Sequence, residues 1–537
     1  MPQDPAVERT VTGMPRRPAG DPVLAAFPAR APDTRRWCFA DQLGPHFLDR
    51  PDQPVLLIES KAVFARRRFH RQKAHLVLSA LRHRAAELGD QAEFSQVHTY
   101  AEALDRVREP LSVCAPTTWS SRDYVLRRPD LAVLAARGFV ATQEEFAGWA
   151  EGRGGGGVGG RHGRRRLLME DFYRDNRRRH DVLMDGAEPV GGRWNLDHDN
   201  REPPPSDGRL AVPEPWWPEE DEIDERVRAD LDRWEADGDV AFVGDDGPRL
   251  FPVTREEALL RLRDFLDTRL GAFGPHEDAM LTGDRWMAHS LLSPALNLGL
   301  LDPLEEVHAA EQRYRDSVAE GDPLPLNSVE GFVRQVMGWR DYIWHTYWHF
   351  GRDFRHANAL AAHEAVPDWM ADLDDGAVEA ACLSDVLGDL RRDGWVHHIP
   401  RLMVLGNYAL QRGIDPLAMT DWFHRSFVDG YDWVMIANVV GMSQHADGGL
   451  LATKPYAAGG AYIDRMSDYC GGCRYDPRKR LGEDACPFTA GYWAFLERNR
   501  ERLAPNQRMR RALQGLDRLK GLEEVVEQER LRGTEAI

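Results

Sequence analysis

The sequence predicts an α/β domain built on a parallel sheet over residues 35–150, followed by an all-α domain over 250–537. Two patterns and a break between them carry this. In the first part short apolar runs alternate with helical patterns, the order that lays strands in parallel with crossover helices between them. From "TREEALLRLRDFLDTRLGAF" (254–273) onward, apolar residues recur at three and four, the period of helices with one buried face. Between them lies a stretch rich in Gly and Pro, which punctuate regular structure. The 537 residues are 42% hydrophobic, ample for more than one core.

Taken in order, residues 1–34 are rich in Pro and Arg and lack a continuous apolar run. They read as a disordered extension rather than a signal peptide, which implies a cytoplasmic location and reduced cysteines. "RWCFA" (36–40), "PVLLIES" (54–60) and "LSVCAP" (111–116) read as strands. "RQKAHLVLSALRHRAAEL" (71–88) reads as a helix with Ala74, Val77, Leu78, Leu81 and Ala85 inward, and "DLAVLAARG" (130–138) as another. Residues 151–249, with "GRGGGGVGGRHG", "REPPPSDG" and "VPEPWWPEE", read as an irregular interdomain connector. In "LNSVEGFVRQVMGWRDYIWHTYW" (326–348), Asn327 and Glu330 are expected to cap a helix whose buried stripe is Val329, Phe332, Val333, Val336 and Met337. The longest apolar run, near "WVMIANVVGM", is far short of a membrane span.

Formal net charge is −18, which on average argues against a nucleic-acid partner. Basic residues are nevertheless clustered, in 64–73, 161–166 and 174–180, and a net-acidic protein can offer a basic face to phosphates. A solvated helix face is the plain alternative for each run.

Six cysteines are spread unevenly. Cys470, Cys473 and Cys486 form C-x2-C-x12-C-P, and Cys382 is the natural fourth ligand from the same domain. Four thiolates suit zinc or an iron–sulfur cluster equally, and free thiols are the plain alternative. Cys38 and Cys114, on strands, read as small core residues.

Several strings carry a resemblance. "HSLLSPALNLGLL" (289–301), "GFVRQVMGWRDYIW" (331–344), "GWVHHIPRLMVLGNYAL" (394–410) and "GYDWVMIANVVGMSQ" (430–444) resemble flavin-lining segments of the photolyase/cryptochrome superfamily. "DQLGP", "MEDFYRDNRRRH", "GGRWNLDHDNR", "GMSQHADGGLLATKPYAAGGAYIDRMSDYC" and "CRYDPRKRLGEDACPF" are similar to its iron–sulfur bacterial branch, the prokaryotic (6-4) photolyases and related cryptochromes. The likeness spans about residues 35–510. It implies a Rossmann-like antenna domain and a helical FAD domain. Ser290, Leu291, Leu292 and Ser293 would bind the FAD diphosphate, a small-residue turn offering free N–H groups to phosphate. Arg401 would pair with Asp432, and Asn438, six residues on, would face flavin N5. Cys382, Cys470, Cys473 and Cys486 would hold a 4Fe–4S cluster.

The resemblance further implies light-driven repair of (6-4) photoproducts in UV-damaged DNA by a monomer that has no membrane partner. His398 would donate the proton, with Leu402 where eukaryotic enzymes carry a second His. Trp422 would be the nearest electron donor, followed by Phe423 where some relatives have Tyr. Tyr456 and Tyr462 would lie between flavin, cluster and lesion. Asp41 matches a contact to a 6,7-dimethyl-8-ribityllumazine antenna, although Ile58 replaces a Cys of lumazine-binding relatives. Arg165, Arg166, Arg177 and Arg178 are candidate DNA contacts. A cryptochrome-like photoreceptor without repair is the alternative from another class; a cluster-bearing primase-like binder would leave Asn438 and "HSLLSP" without a role.

Overall fold

A computed structural model describes residues 27–153, 167–535 and 537. Expectations for the chain before residue 27, and for Arg165 and Arg166, fall outside them. Five parallel strands form one sheet: β1 (Arg35–Cys38), β2 (Val55–Ser60), β3 (Ala92–Val97), β4 (Leu111–Cys114) and β5 (Leu131–Leu134), in the order β3-β2-β1-β4-β5. All six residues of β2 are buried. Val55 and Leu57 face the helix Arg71–Leu88, and Leu56 and Ile58 pack with Ala103, Leu104 and Val125 on the opposite face. This alternation covers both faces, as a parallel sheet requires.

Two sequence expectations change here. Residues 131–134 are strand β5, not a helix: four apolar residues are too few for a helical face, and they pair with β4 in register, Leu111 opposite Leu131. β3 escaped notice because its sequence, AEFSQV, is largely polar, as suits a partly exposed edge strand. Cys38 and Cys114 are buried core residues as expected.

The segment 164–248 is more regular than its composition suggests. It holds the helices Met169–His180 and Glu222–Ala236. The acidic second helix buries Val227, Leu231 and Trp234, at spacings of four and three, against Phe64, Phe69, Ala74 and Leu78. Its charges form the outer face: Arg82 meets Asp230, and Arg228 meets Glu220 and Asp246. The 64–73 run is spent similarly. Arg67 pairs with Asp421 and Arg68 with Asp372, tying the sheet domain to the helical part.

The helix Leu326–Val333 has the predicted stripe buried but not the predicted cap. Pro325 precedes it, and the two proposed capping side chains are engaged elsewhere: Asn327 donates to Asn200, and Glu330 accepts from the backbone N–H of Leu196. The stripe belongs to a core that runs without a break from β1 and β2 into the helices Arg255–Thr268 and Pro303–Glu320. Among the described residues no helix is long and apolar enough to cross a membrane.

The loop after β1 touches the helical part closely. A Cβ on Gly44 would stand 2.2 Å from the Gly299 carbonyl oxygen, a backbone atom that cannot swing aside. Gly44→Ala is expected to lower unfolding stability by about 1–3 kcal/mol through overpacking, read as a fall in Tm.

Candidate functional site

Three segments of the helical part wind as π-helix: Arg334–Arg340, Pro400–Gly406 and Ile436–Ser443. Each lies inside a string singled out in the sequence. π-turns are rare and gather at functional sites, because the extra residue per turn re-aims side chains. The second and third segments touch: a Cβ on Gly406 would fall 2.2 Å from Ser443 Oγ.

The pairing of Arg401 differs from expectation. Its guanidinium donates to both carboxylate oxygens of Asp429, at 2.8 and 3.0 Å, and not to Asp432. Asp432 starts the next helix, Asp432–Met435, and accepts from the Tyr347 hydroxyl at 2.9 Å. Asp429 also accepts from Ser293 Oγ at 2.7 Å, and its carbonyl from Asn297 at 3.0 Å. One carboxylate therefore joins the 289–297 turn to the Arg401 segment. The turn is strained, with Leu291 at φ +58° and Met287 at φ +46°, a conformation seldom kept without a functional reason. Leu291 and Leu292 are buried, while Ser290 and Ser293 are half-exposed. The Ser293 hydroxyl and the Arg401 fork are both engaged by Asp429, so what the turn itself offers an anionic group is its half-exposed Ser290 hydroxyl and the backbone N–H groups that open the next helix. Six residues beyond the paired aspartate lies Met435, buried, whereas Asn438 is half-buried and donates to the Val434 carbonyl.

At the other end of the Arg401 segment stand three histidines. His289 and His397 are buried and stacked, ring centroids 4.3 Å apart. Burial holds both imidazoles well below the usual histidine range, helped by the positive charges of Arg269 and Arg401 near His289 and by the adjacent histidine near His397. His398 is half-exposed at its side chain and lies 3.5 Å from Asp278. Burial raises the Tyr462 phenol to about 12, with Asp278 adding to it. Burial also raises the Tyr456 phenol, with Asp197 and then Asp278 adding to it. Asp278 is thus the shared neighbour of His398, Tyr456 and Tyr462. Sequence reasoning missed both Asp278 and His289; "GPHEDAML" carries no motif, and His289 read only as the first letter of the phosphate-turn string.

The four cysteines Cys382, Cys470, Cys473 and Cys486 line one small apolar pocket together with Ala380, Ile463, Tyr469, Tyr475 and Phe488. Cys382 starts the helix Ala381–Asp393, Cys470 sits in the turn Tyr469–Gly472, and Cys486 caps the helix Pro487–Arg498. Gly460 faces them closely, its Cβ position 2.7 Å from Cys486 Sγ. Among the described residues, no three of the four thiols lie within 4.8 Å of one another, unlike the three histidines. Thiolates around a tetrahedral zinc, with Zn–S of ~2.3 Å, stand ~3.8 Å apart.

The remaining candidates are placed as follows. Trp422 is buried, donates to the Met370 carbonyl at 2.7 Å, and packs edge-on against Phe423 and Phe427. Asp41 lies at the end of the sheet and accepts from Thr117 at 2.6 Å; burial raises its carboxyl. Ile58 is buried in the sheet core. Arg177 is not a surface cation: it is buried and donates to the carbonyls of Val182, Leu183 and Trp194. Arg178 is exposed and lies over the Trp194 ring at 4.3 Å.

With this geometry in hand, known proteins resemble the chain as follows. Residues 36–239 match the family model "Deoxyribodipyrimidine photo-lyase-related protein". A protein of Agrobacterium fabrum named (6-4) photolyase is 38% identical over 495 residues, 87% of this chain and 92% of that one. An uncharacterised protein, R855, of Acanthamoeba polyphaga mimivirus is 44% identical over 66 residues, 12% of this chain and 54% of its own. The crystal structure of a bacterial class III photolyase from Agrobacterium tumefaciens shares the fold, with a TM-score of 0.50 at 16% identity over 81% of this chain and 82% of that one.

The Asp429 junction yields its own test. Asp429→Asn keeps the shape but removes the charge that offsets Arg401 in a largely buried pair. It is expected to cost about 3 kcal/mol in urea unfolding, since the guanidinium is left uncompensated, and to lower the flavin retained on purification.

Proposed function

The chain belongs to the photolyase/cryptochrome family, in the branch of the bacterial (6-4) photolyase, and from that membership we propose that it repairs (6-4) pyrimidine–pyrimidone photoproducts in DNA under blue light. The observation that carries the reading is the placement of His398, half-exposed beside Asp278 at the edge of a patch with Tyr456 and Tyr462. A flipped-out base would meet His398 on its exposed side, and damage lowers the cost of leaving the stack. Reduced FAD, when bound, supplies the light-driven electron. Ser290, Leu291, Leu292 and Ser293 would hold its diphosphate, with Arg401 and Asp429 fixing the turn from behind. Asp432 and Asn438 remain the family's matched positions nearer the ring. His398 gives its proton to the lesion as the hydroxyl returns to the neighbouring base. Trp422 would pass electrons toward the flavin, and Phe423 beside it cannot serve as a tyrosine relay.

Cys382, Cys470, Cys473 and Cys486 would hold a 4Fe–4S cluster. Four thiols lining one apolar pocket support a thiolate-held metal group, and the match to the family's four positions favours the cluster over zinc. The cluster would pin the helix bearing Cys382 to the chain end. An antenna bound near Asp41, 6,7-dimethyl-8-ribityllumazine being the matched case, would add light capture. Of the two described candidates for DNA contact, Arg177 is buried and Arg178 is exposed beside Trp194, so Arg178 is the one proposed to meet phosphate.

His398→Ala is expected to keep FAD and metal content while losing (6-4) repair by about 10²–10⁴-fold, the worth of a positioned acid. A defined (6-4) oligonucleotide assayed under blue light and in darkness measures this. Repair near the parent level would remove the proton-donor role, and a parent inert with fully reduced flavin would favour the photoreceptor reading. Purified protein should carry about four iron and four labile sulfide per chain. Gly460→Ala, whose Cβ would crowd Cys486 Sγ and Thr489 Oγ1 at 2.7 Å each, should lower that iron content; equimolar zinc without iron after anaerobic purification would overturn the cluster.

A further inference from the structure

Arg67, Arg68 and Arg177 are spent on partners inside the protein. The segment 500–520 departs from that use. It holds seven cations against two carboxylates, Glu501 and Asp517, in a chain of net charge −18. Arg500 takes Asp517, together with Glu497. Arg502, Arg508, Arg510, Arg511, Arg518 and Lys520 are exposed, and among the described residues none of these six side chains meets a carboxylate, a carbonyl or a ring. Glu501, Glu523 and Glu524 are the exposed carboxylates nearest in sequence, and they pair with none of the six.

Local structure does not account for them. The helix Arg510–Asp517 turns Leu513 and Leu516 onto a core with Phe495, Leu496 and Met509. Arg510, Gln514 and Arg518, spaced by four, share the opposite face with Arg511. The start of a helix favours carboxylates over cations, yet this first turn holds two arginines and no acid. Arg511 and Arg518 stand about 10 Å apart along the axis, the rise of about three base pairs. The position of the helix matters as much as its charge. Asn506, just before it, donates to the Thr453 carbonyl at 3.0 Å, and Ala457 packs on the same core. Tyr456 lies between Thr453 and Ala457, so the cations flank the segment that carries it.

We infer that Arg502, Arg508, Arg510, Arg511, Arg518 and Lys520 form a track for the sugar–phosphate backbone of the duplex arm beside the lesion. The inference rests on the DNA partner of the proposed function and adds a surface to it. The strings that carry the family likeness end at Phe488, so none of them gives these cations a task. A chain this acidic repels DNA on average, and a local run of unpaired cations offsets that where the duplex must lie. Contacts to phosphate fix the position and register of the duplex without reading its sequence, which suits a protein that must find damage in any context. Five of the six are arginines, whose planar forks match phosphate oxygens.

Binding of the full chain to undamaged duplex DNA, read in darkness by fluorescence anisotropy between about 50 and 200 mM salt, tests the track. Combining Arg510→Gln, Arg511→Gln, Arg518→Gln and Lys520→Gln should lower the slope of log affinity against log salt by about 3–4, each lost phosphate contact removing about 0.9. The weakening should be uniform across duplex sequences, with Tm and flavin content at the parent's values. A matched pair controls for net charge. Arg511→Gln with Arg518→Gln should lower the slope by about 2, whereas Arg226→Gln with Arg233→Gln, exposed on the acidic helix 222–236, should leave it unchanged. A parent-like slope in the fourfold variant, or equal losses in the two pairs, overturns the track. So does a loss of affinity for anionic lipid vesicles with none for duplex. A parent that binds through the track and never repairs removes the repair reading and leaves the track standing. A parent that repairs while the fourfold variant keeps its slope removes the track alone.

Discussion

The site depends on one buried carboxylate, Asp429, and on the turn that holds it. Phe427 to Gly430 follow the helix Pro416–Ser426, whose end is fixed by Lys73 of the sheet domain. The Lys73 ammonium donates to the carbonyls of His424 and Gly430, on either side of Asp429 in sequence. Burial pushes Lys73 down to about 7, against an opposing pull from Asp429. A Cβ on Gly430 would meet the carbonyl oxygens of Phe423, His424 and Phe427 within 3.0 Å, so the turn closes only around glycine. From Asp429, Arg401 and Ser293 take their positions, and with them the strained turn and the π-segment leading back to His397 and His398. Docking of the two domains and geometry of the site are therefore one event.

The functional region divides into environments of opposite character. Around the cysteines the lining is apolar, with Cys382 and Cys486 buried and Cys470 and Cys473 half-buried. Around His398 it is polar and open, with Asp278, Tyr456 and Tyr462 at its edge. Between them runs one hydrophobic core, holding Trp422, Met435, Tyr408, Cys382 and Cys486 together. A group bound at the cysteines and one bound near Arg401 would thus be separated by packed side chains rather than by water, which keeps their spacing fixed.

Arginine in this chain serves structure more often than its clusters suggest. Arg177 is spent on three carbonyls, and Arg67 and Arg68 on carboxylates of the helical part. The guanidinium fork explains the choice: five donors can satisfy several acceptors in a buried corner where lysine would leave some unmet. Trp194 lies under both Arg177 and Arg178, so the strings 169–180 and 191–201 pack against each other.

Local pattern by itself determined much of this protein. The apolar run in 54–60 and the period in 71–88 and 326–337 set strand and helix, because side-chain direction follows backbone geometry residue by residue. The cysteine spacing announced a four-thiol site, since a C-x2-C turn brings two sulfurs together locally, and the motif strings marked the segments that wind as π-helix. Where the sequence alone erred, the deciding partner was distant. The four residues of β5 are strand because β4 lies beside them. The acidic helix 222–236 exists because Phe64, Phe69 and Leu78 offer it a surface. Arg401 could reach Asp429 or Asp432 by sequence distance, and the orientation of the turn beyond Phe427 settled the choice. Asp278 and His289 gain meaning only from His398 beside them, 120 and 109 residues away in the chain. A pairing between remote segments leaves no period or spacing to read; it is fixed when packing brings the segments together and burial requires each charge to find its partner.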